Sequence, residues 1–507
     1  MLAMLVLVWQ LQRCTSARQG AWLGWWFSTA MQCATWWWLF ISLHTYGGLA
    51  SPLAVLAIVG LAGFLALYHG VVCAVFVRLS YAQGRTYAPN PVVVKPALFA
   101  ALWLLAELAR VAFFTGFPWG EGGYAQLDGP FANLAKVVGV HGLTFFSAWG
   151  AAAVAAVLLR PSLRRAAEVA CVVVFAGAAS FFIKSDQAAS LFSAAYPPGT
   201  PGVANKPFTV ALLQGNIAQD EKFSGGSGVP DALKWYGEKL RLSTASLVVT
   251  PETALPLLPA QLPEGYLAAL LDHFMQPAPG ASSTAALIGI PLGDSQQGYT
   301  NSVMGLKPVK SGEGAPDVEG SVYRYDKHHL VPFGEFVHPL FKWFLAIVNM
   351  PLSDFNRGDI SQPSFNWQGQ RIAPNICYED LFGEELAARF TDPANSPTIF
   401  VNISNIGWFG NTIAIDQHLN ISRMRAIEFE RPMIRATNTG ATAIIDHRGV
   451  VTYALERHMR GVLMGVVEGR SGITPYAWWA SRFGLWPWWV LCLGVVGTAA
   501  VYRRKPA

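Results

Sequence analysis

The chain has 507 residues, of which 52% are hydrophobic and only 13% charged, and its formal net charge is +5. Soluble domains carry about 25% charged residues, so this composition excludes a disordered chain and argues against a wholly soluble one. The small, scattered positive charge leaves no footprint for nucleic acid, whereas 19 Trp and 30 Phe suit membrane–water interfaces, where aromatic rings collect.

A membrane helix needs about 20 mainly apolar residues. In chain order such segments run over 1–12 (short), 21–43, 52–77, 93–114, 139–159, 166–183 and 487–502. None reads as a cleaved signal, because no basic stretch precedes 1–12 and no small-residue cleavage site follows it. Arg13 and Arg18 follow the first segment, Arg78 and Arg85 the third, Arg160, Arg164 and Arg165 the fifth, and Arg503, Arg504 and Lys505 the last. The alternate loops, around Thr45–Ser51 and Thr115–Pro130, contain no Lys or Arg. Basic loops stay in the cytoplasm, which places the polar stretch 206–470 outside, in a bacterium the periplasm. The expected organisation is a transmembrane helical domain over 1–185, a catalytic domain over 206–470 and a C-terminal membrane helix over 487–502. Seven segments with a cytoplasmic C-terminus put the N-terminus outside. An upstream helix missing from this chain is therefore expected, with a half-helix at 1–12 as the alternative.

Several charges fall inside apolar segments: Lys95, Glu107, Arg110, Lys136 and His141. Charges at such depth face partners or cavities. Glu107 and Arg110 are three apart on one helical face, which suits a local ion pair; Lys95 and Lys136 are expected to snorkel from helix ends. The aromatic stretch Phe113–Gly120, with its Gly and Pro, reads as an interfacial turn or, equally, as the border of a lipid entrance.

The polar stretch opens with a strand-like run, Phe208–Leu213. Further runs follow at Ser246–Thr250, Ala285–Ile290, Ser302–Leu306, Val322–Tyr325, Arg371–Cys377, Thr398–Ile403 and Ala441–Ile445, with helical spacing over Asp416–Glu430. Strands interleaved with helical stretches predict an α/β domain. Three strand ends carry reactive groups, Glu252, Lys327 and Cys377, and chemistry gathers beyond the carboxyl ends of strands in open sheets. A thiolate can attack a carbonyl, a carboxylate can take and return the proton, and an ammonium can steady the oxyanion. Singly, a Glu or Lys is usually a solvated charge and a Cys inert packing. Of the six cysteines, only Cys377 lies in a polar part of the chain, and their spacing suits neither a disulfide framework nor zinc. His328, His329 and His418 lack metal-ligand spacing, and no Gly-rich phosphate loop is present, so neither metal nor cofactor is expected.

The local sequences around these groups resemble the nitrilase superfamily of carbon–nitrogen hydrolases. Pro251-Glu252, Lys327 within Tyr325-Asp326-Lys327-His328-His329-Leu330-Val331-Pro332-Phe333-Gly334-Glu335, and Ile376-Cys377-Tyr378-Glu379 look like its Glu–Lys–Cys triad in the usual order. The likeness is nearest to one branch, the bacterial apolipoprotein N-acyltransferases. Trp408-Phe409-Gly410, Gln417-His418 with Arg423-Met424-Arg425-Ala426, and Arg435-Ala436-Thr437-Asn438-Thr439-Gly440 carry it in the polar part. Trp37-Trp38-Leu39, Ser42–Gly48 and Gly116-Phe117-Pro118-Trp119 carry it in the apolar part. The resemblance implies an αββα sandwich attached to a multi-pass helical membrane domain, with Glu252 as general base, Lys327 as oxyanion stabiliser and Cys377 as acylated nucleophile. Glu335 looks like the supporting second Glu. Tyr378, Glu379, Phe223 and Trp408 fall at the branch's substrate-contact positions, and the Tyr378 N–H is an expected oxyanion donor. The chain departs from the branch at Phe223, where a Trp is usual; at Ile406, where an Asp is usual; and at Val337-His338-Pro339.

The implied activity transfers an acyl chain from a phospholipid, through a Cys377 thioester, to the α-amine of an S-diacylglyceryl-cysteine on an apolipoprotein. The implied setting is the inner membrane, and the protein is expected to act as a monomer without a nucleic-acid partner. A membrane-tethered amidase or nitrilase with a small substrate keeps the same triad. A non-catalytic lipid or lipoprotein receptor on the same scaffold would have no use for it.

Overall fold

The structure, a computed structural model, describes residues 2–80, 94–159, 161–184, 207–277, 283–294, 296–309, 322–337 and 355–504. Arg85, Arg160, Lys505, His338 and Pro339 therefore lie outside the described residues. The chain divides into two compact units, one of Met1–Leu39, Ala50–Ala195 and Thr474–Ala507, the other of Phe40–Leu49 and Tyr196–Ile473.

The first unit is helical. Its long helices are α1 (Leu2–Leu11), α2 (Ala17–Trp36), α3 (Ser51–Ser80), α4 (Val94–Ala112), α5 (Ala135–Leu159) and α6 (Leu163–Lys184), followed near the C-terminus by Pro475–Phe483 and Trp486–Arg504. Among the described residues, α3, Ala132–Leu159 and Leu163–Ile183 are long and apolar enough to cross a membrane. The pair Pro475–Phe483 and Trp486–Val501, bent by 86°, passes the same criterion when taken together. Small residues let α2 and α3 approach closely: a Cβ on Gly24 would meet Cys73 Sγ at 2.6 Å and the His69 carbonyl at 2.8 Å. Gly20, Gly24 and Ser28 repeat the small-xxx-small spacing of membrane helix pairs.

The pair expected on α4 forms, with Arg110 Nη1 donating to Glu107 Oε2 at 2.7 Å. Arg110 Nη2 also donates to the carbonyls of Phe117 (3.0 Å) and Trp119 (2.9 Å), so the buried charge fixes the aromatic turn. Lys95 and Lys136, expected at exposed helix ends, are buried instead, at 8% and 7% exposure.

The second unit is built on two six-stranded sheets. The first contains β1 (Phe208–Gln214), β2 (Leu247–Val249), β3 (Ala285–Asp294), β4 (Gly298–Leu306) and β5 (Tyr323–Asp326). The second contains β6 (Phe365–Trp367), β7 (Gln370–Ile376), β8 (Ile399–Ser404), β9 (Met433–Thr437), β10 (Ala443–Ile445) and β11 (Val451–Ala454). The last strand, β12 (Gly461–Val467), returns to the first sheet and pairs antiparallel with β1. Strand order is β12-β1-β2-β3-β4-β5 in one sheet and β11-β10-β9-β8-β7-β6 in the other.

Alternation along the strands builds the layers. Val210, Leu212, Val249 and Leu287 pack between the sheets against Ile376, Val401, Ile403 and Ile434. Ala211, Leu213, Val248 and Ile288 face outward, onto helices α7 (Gly228–Leu242) and α8 (Tyr266–Met275), through Leu233, Tyr236, Leu240 and Phe274. Helix α9 (Ala414–Phe429) follows β8, and its Phe429 stacks on Phe390 and meets Phe400 of β8. The sheets β1–β2–β3 and β7–β8–β9 are parallel at their centres, so the carboxyl ends of β2 and β7 offer adjoining turns for chemistry.

Candidate active site

Glu252 sits in the turn after β2, Lys327 directly after β5 and Cys377 directly after β7. The Lys327 ammonium is fully buried between two carboxylates: Nζ lies 3.3 Å from Glu252 Oε1 and 2.8 Å from Glu335 Oε2. Asn301, in the middle of β4, donates through Nδ2 to Glu252 Oε1 at 2.8 Å and to Glu335 Oε1 at 2.7 Å, tying both acids to one strand. The Asn405 N–H donates to Glu252 Oε2 at 2.8 Å, and the Val331 N–H to Glu335 Oε2 at 2.9 Å.

The electrostatics follow from this cage. Burial raises the Glu252 carboxyl, but Lys327, Lys222, Asn301 and the Asn405 N–H outweigh it and hold the group below the usual carboxylate range. Burial pushes the Lys327 ammonium down, but Glu335 and Glu252 outweigh it and hold the group above its ordinary range. The Cys377 thiol is pushed up to about 12, by burial first and by Glu252 second, with Lys327 pulling the other way. The resting group is a thiol, so Cys377 can act on a carbonyl only by giving up its proton, and the buried Glu252 carboxylate is a group able to take it.

Cys377 has φ 53°, a left-handed conformation that costs a non-glycine residue about 1 kcal/mol or more. The elbow is held from behind. Asn402 Nδ2 donates to the Cys377 carbonyl at 3.2 Å, and His418 Nε2 lies 3.1 Å from the same oxygen. His418 is itself fixed by Asp380 Oδ1 (3.0 Å) and by Arg435 Nη2 on its Nδ1 (3.0 Å), while Ser422 and Arg435 hold Asp380 Oδ2. All of these side chains are fully buried. With Arg435 donating to Nδ1, the imidazole carries its proton on Nε2, toward Asp380 and Cys377.

Tyr378 and Glu379, expected to meet substrate, are turned inward. Tyr378 is 3% exposed and packs edge-on to Phe382. The Glu379 carboxylate accepts from the Tyr325 hydroxyl, from the His328 N–H at 2.7 Å, from the His329 N–H at 3.2 Å and from the Ile376 N–H at 2.6 Å. It thus staples the lysine turn to the cysteine turn, and burial holds its carboxyl above the ordinary range despite these donors. Phe223 is 56% exposed. The Trp408 ring meets Tyr46 edge-on, with centroids 5.7 Å apart. Ile406 is buried at 1% exposure, and the polar duty at this turn falls to Asn405, whose Nδ2 donates to Gln219 Oε1 at 2.8 Å.

Asn301, Asn405, Lys222 and Asp380 carry no sequence signal comparable to the triad's, whereas His418 and Arg435 lie in stretches that resemble the acyltransferase branch. The nearest hint was a charged residue, Arg435, in a run that folds as the fully buried strand β9.

Residues 1–185 match the family model for the apolipoprotein N-acyltransferase N-terminal domain, and residues 209–471 match that for carbon-nitrogen hydrolases. The chain is 54% identical over 497 residues to the apolipoprotein N-acyltransferase of Verminephrobacter eiseniae, covering 95% of this chain and 88% of that protein. It is 40% identical over 491 residues to the apolipoprotein N-acyltransferase of Ralstonia nicotianae, covering 97% and 86% respectively. Triad-type residues converge on adjoining strand ends, and the similarity runs through both the helical and the hydrolase-like parts; the chain belongs to the apolipoprotein N-acyltransferase family.

Proposed function

We propose that the chain transfers an acyl group from a phospholipid to the N-terminal α-amine of an S-diacylglyceryl-cysteine apolipoprotein, in two half-reactions at Cys377. The observation that carries this reading is the Lys327 ammonium caged by Glu252 and Glu335 next to the strained Cys377 elbow. In the first half-reaction the sulfur attacks the ester carbonyl while Glu252 takes the thiol proton. Lys327 and the Tyr378 N–H stabilise the oxyanion. Collapse breaks the ester C–O bond, Glu252 returns the proton to the departing glycerol oxygen, and a lysophospholipid leaves. In the second, the α-amine attacks the thioester, Glu252 accepts a proton from nitrogen, and the thiol is restored as the amide forms. Glu335 and Asn301 hold Lys327 and Glu252 in register, and Glu379 holds the two turns together.

Both substrates are membrane-bound, which accounts for a hydrolase-like domain over 206–470 joined to helices over 1–185 and 487–502. The Arg-rich loops support an inner-membrane orientation with the catalytic domain in the periplasm. The protein acts as a monomer and uses no nucleic acid. Incubating the enzyme with phospholipid alone should add one acyl mass to the Cys377 peptide, and apolipoprotein should then discharge it. Cys377→Ala should give neither signal; sustained lipoprotein acylation by Cys377→Ala would overturn the assignment.

A further inference from the structure

The triad and its supporting Glu do not account for Lys222. This residue is 2% exposed, and its Nζ donates to the backbone carbonyl of Glu252 at 2.9 Å. It is delivered by a tight turn in which the N–H groups of Glu221 and Lys222 both donate to the Ala218 carbonyl. The turn closes against Gly228, where a Cβ would meet the Glu221 carbonyl at 2.1 Å and Lys222 Cα at 3.0 Å. A lysine is rarely buried so completely without a purpose or a partner.

Its partner is unusual. Lys327 is neutralised by direct contact with two carboxylates. Among the described residues Lys222 makes no such ion pair, and its hydrogen bond goes to a carbonyl. The Phe223 ring, on its own turn, lies 5.7 Å from Nζ, and the Glu252 carbonyl, in the turn after β2, takes its hydrogen bond. The charges of Glu252 and of Cys377, at the elbow after β7, both act to hold the ammonium. Counting formal charges, Glu252 and Glu335 with Lys327 leave the site at −1 before the thiol ionises, a field that opposes a thiolate. A second ammonium offsets that charge, and an opposite charge nearby favours the ionised form of a thiol.

We propose that Lys222 is a second active-site ammonium that favours ionisation of Cys377 through its charge rather than through its hydrogen bond. The inference rests on Cys377 being the nucleophile. Burial lowers the Lys222 ammonium to about 8, with Glu252 and Cys377 opposing the shift, so the charge is present at neutral pH and is lost in mild alkali.

The test is the rate of iodoacetamide alkylation of the Cys377 peptide, read by mass in detergent-solubilised full-length protein. This readout does not depend on lipid transfer. Lys222→Gln keeps a donor for the Glu252 carbonyl but removes the charge, and at pH 7 it should alkylate about tenfold or more slowly. Lys222→Arg should stay near the parental rate. Lys222→Met serves as a second neutral variant should Lys222→Gln fail to fold. In the unmodified protein the logarithm of the rate should rise with unit slope below about pH 8 and break there to a shallower course over about one pH unit or more as the charge is lost. Equal rates in the parent and a neutral variant, or an unbroken slope in the parent, would overturn the inference. Lipid transfer by Cys377→Ala would instead overturn the reading of the nucleophile, so the two failures are distinguishable.

Discussion

Glu379→Gln tests whether the Lys327 and Cys377 turns are stapled by one carboxylate. Glu379 Oε1 accepts from the N–H groups of His328 and His329, and Oε2 from the N–H of Ile376, the residue before the nucleophile. An amide can keep its oxygen toward the lysine turn, but its NH₂ then faces the Ile376 N–H, donor against donor. Losing a charge-assisted hydrogen bond costs about 1.5–3 kcal/mol, and orphaning a buried N–H about 1–3 kcal/mol. Removing a buried charge offsets part of this, leaving a net loss of about 2–4 kcal/mol. For a domain of this size, 1 kcal/mol shifts the melting temperature by about 2–4 °C, so a fall of about 5–15 °C is expected. Freeing Ile376 also loosens the Cys377 elbow, and displacing a nucleophile by an ångström can cost about a hundredfold in rate. Thermal unfolding of the solubilised protein and single-turnover acylation, read by intact mass, measure the two effects. A variant that melts with the parent and forms acyl-enzyme at the parental rate would refute the staple.

Gly289→Ala, on β3, would drive a Cβ to 2.1 Å from the Pro251 carbonyl and 3.0 Å from Glu252 Cα; acylation should fall at least tenfold, with a stability loss of about 1–3 kcal/mol by thermal melting. Burial, reinforced by Arg470, pushes the His447 imidazole down to about 4. The unfolded chain, with His near 6.5, therefore binds the proton first. Stability should fall as pH drops from about 6.5 towards 4, and His447→Gln should lose that part of the slope in a pH series of melts. Gly225 has nothing within 4 Å of its Cβ position and Ser162 is exposed. In intact spheroplasts a membrane-impermeant thiol reagent should label Gly225→Cys and miss Ser162→Cys, and the reverse pattern would invert the proposed orientation.

Local pattern alone determined a good deal about this protein. Apolar runs fixed where the helices fall, because a membrane or a bundle core demands continuous apolar length. Short β-branched runs marked β1, β2, β3, β7 and β8, because a strand buried on both faces has no room for polar side chains. Glu252, Lys327 and Cys377 were legible because each follows such a run in a distinctive local sequence. What escaped depends on partners far away in the chain. The run Gly461–Val467 becomes β12 only because β1, some 250 residues earlier, offers an edge. Strand β9 carries a fully buried Arg435, which no hydrophobic pattern anticipates, because its charge is met by Asp380 at 3.2 Å. Tyr378 and Glu379 adjoin Cys377 in sequence, yet the elbow there turns them inward, where four separate donor groups fill the Glu379 carboxylate. Lys222 and Asn301 meet Glu252 only when the sandwich brings their turn and strand beside it. Sequence spacing specifies which chemistry is present; long-range strand pairing decides which side chains are buried with it, and burial sets the charge each of them carries.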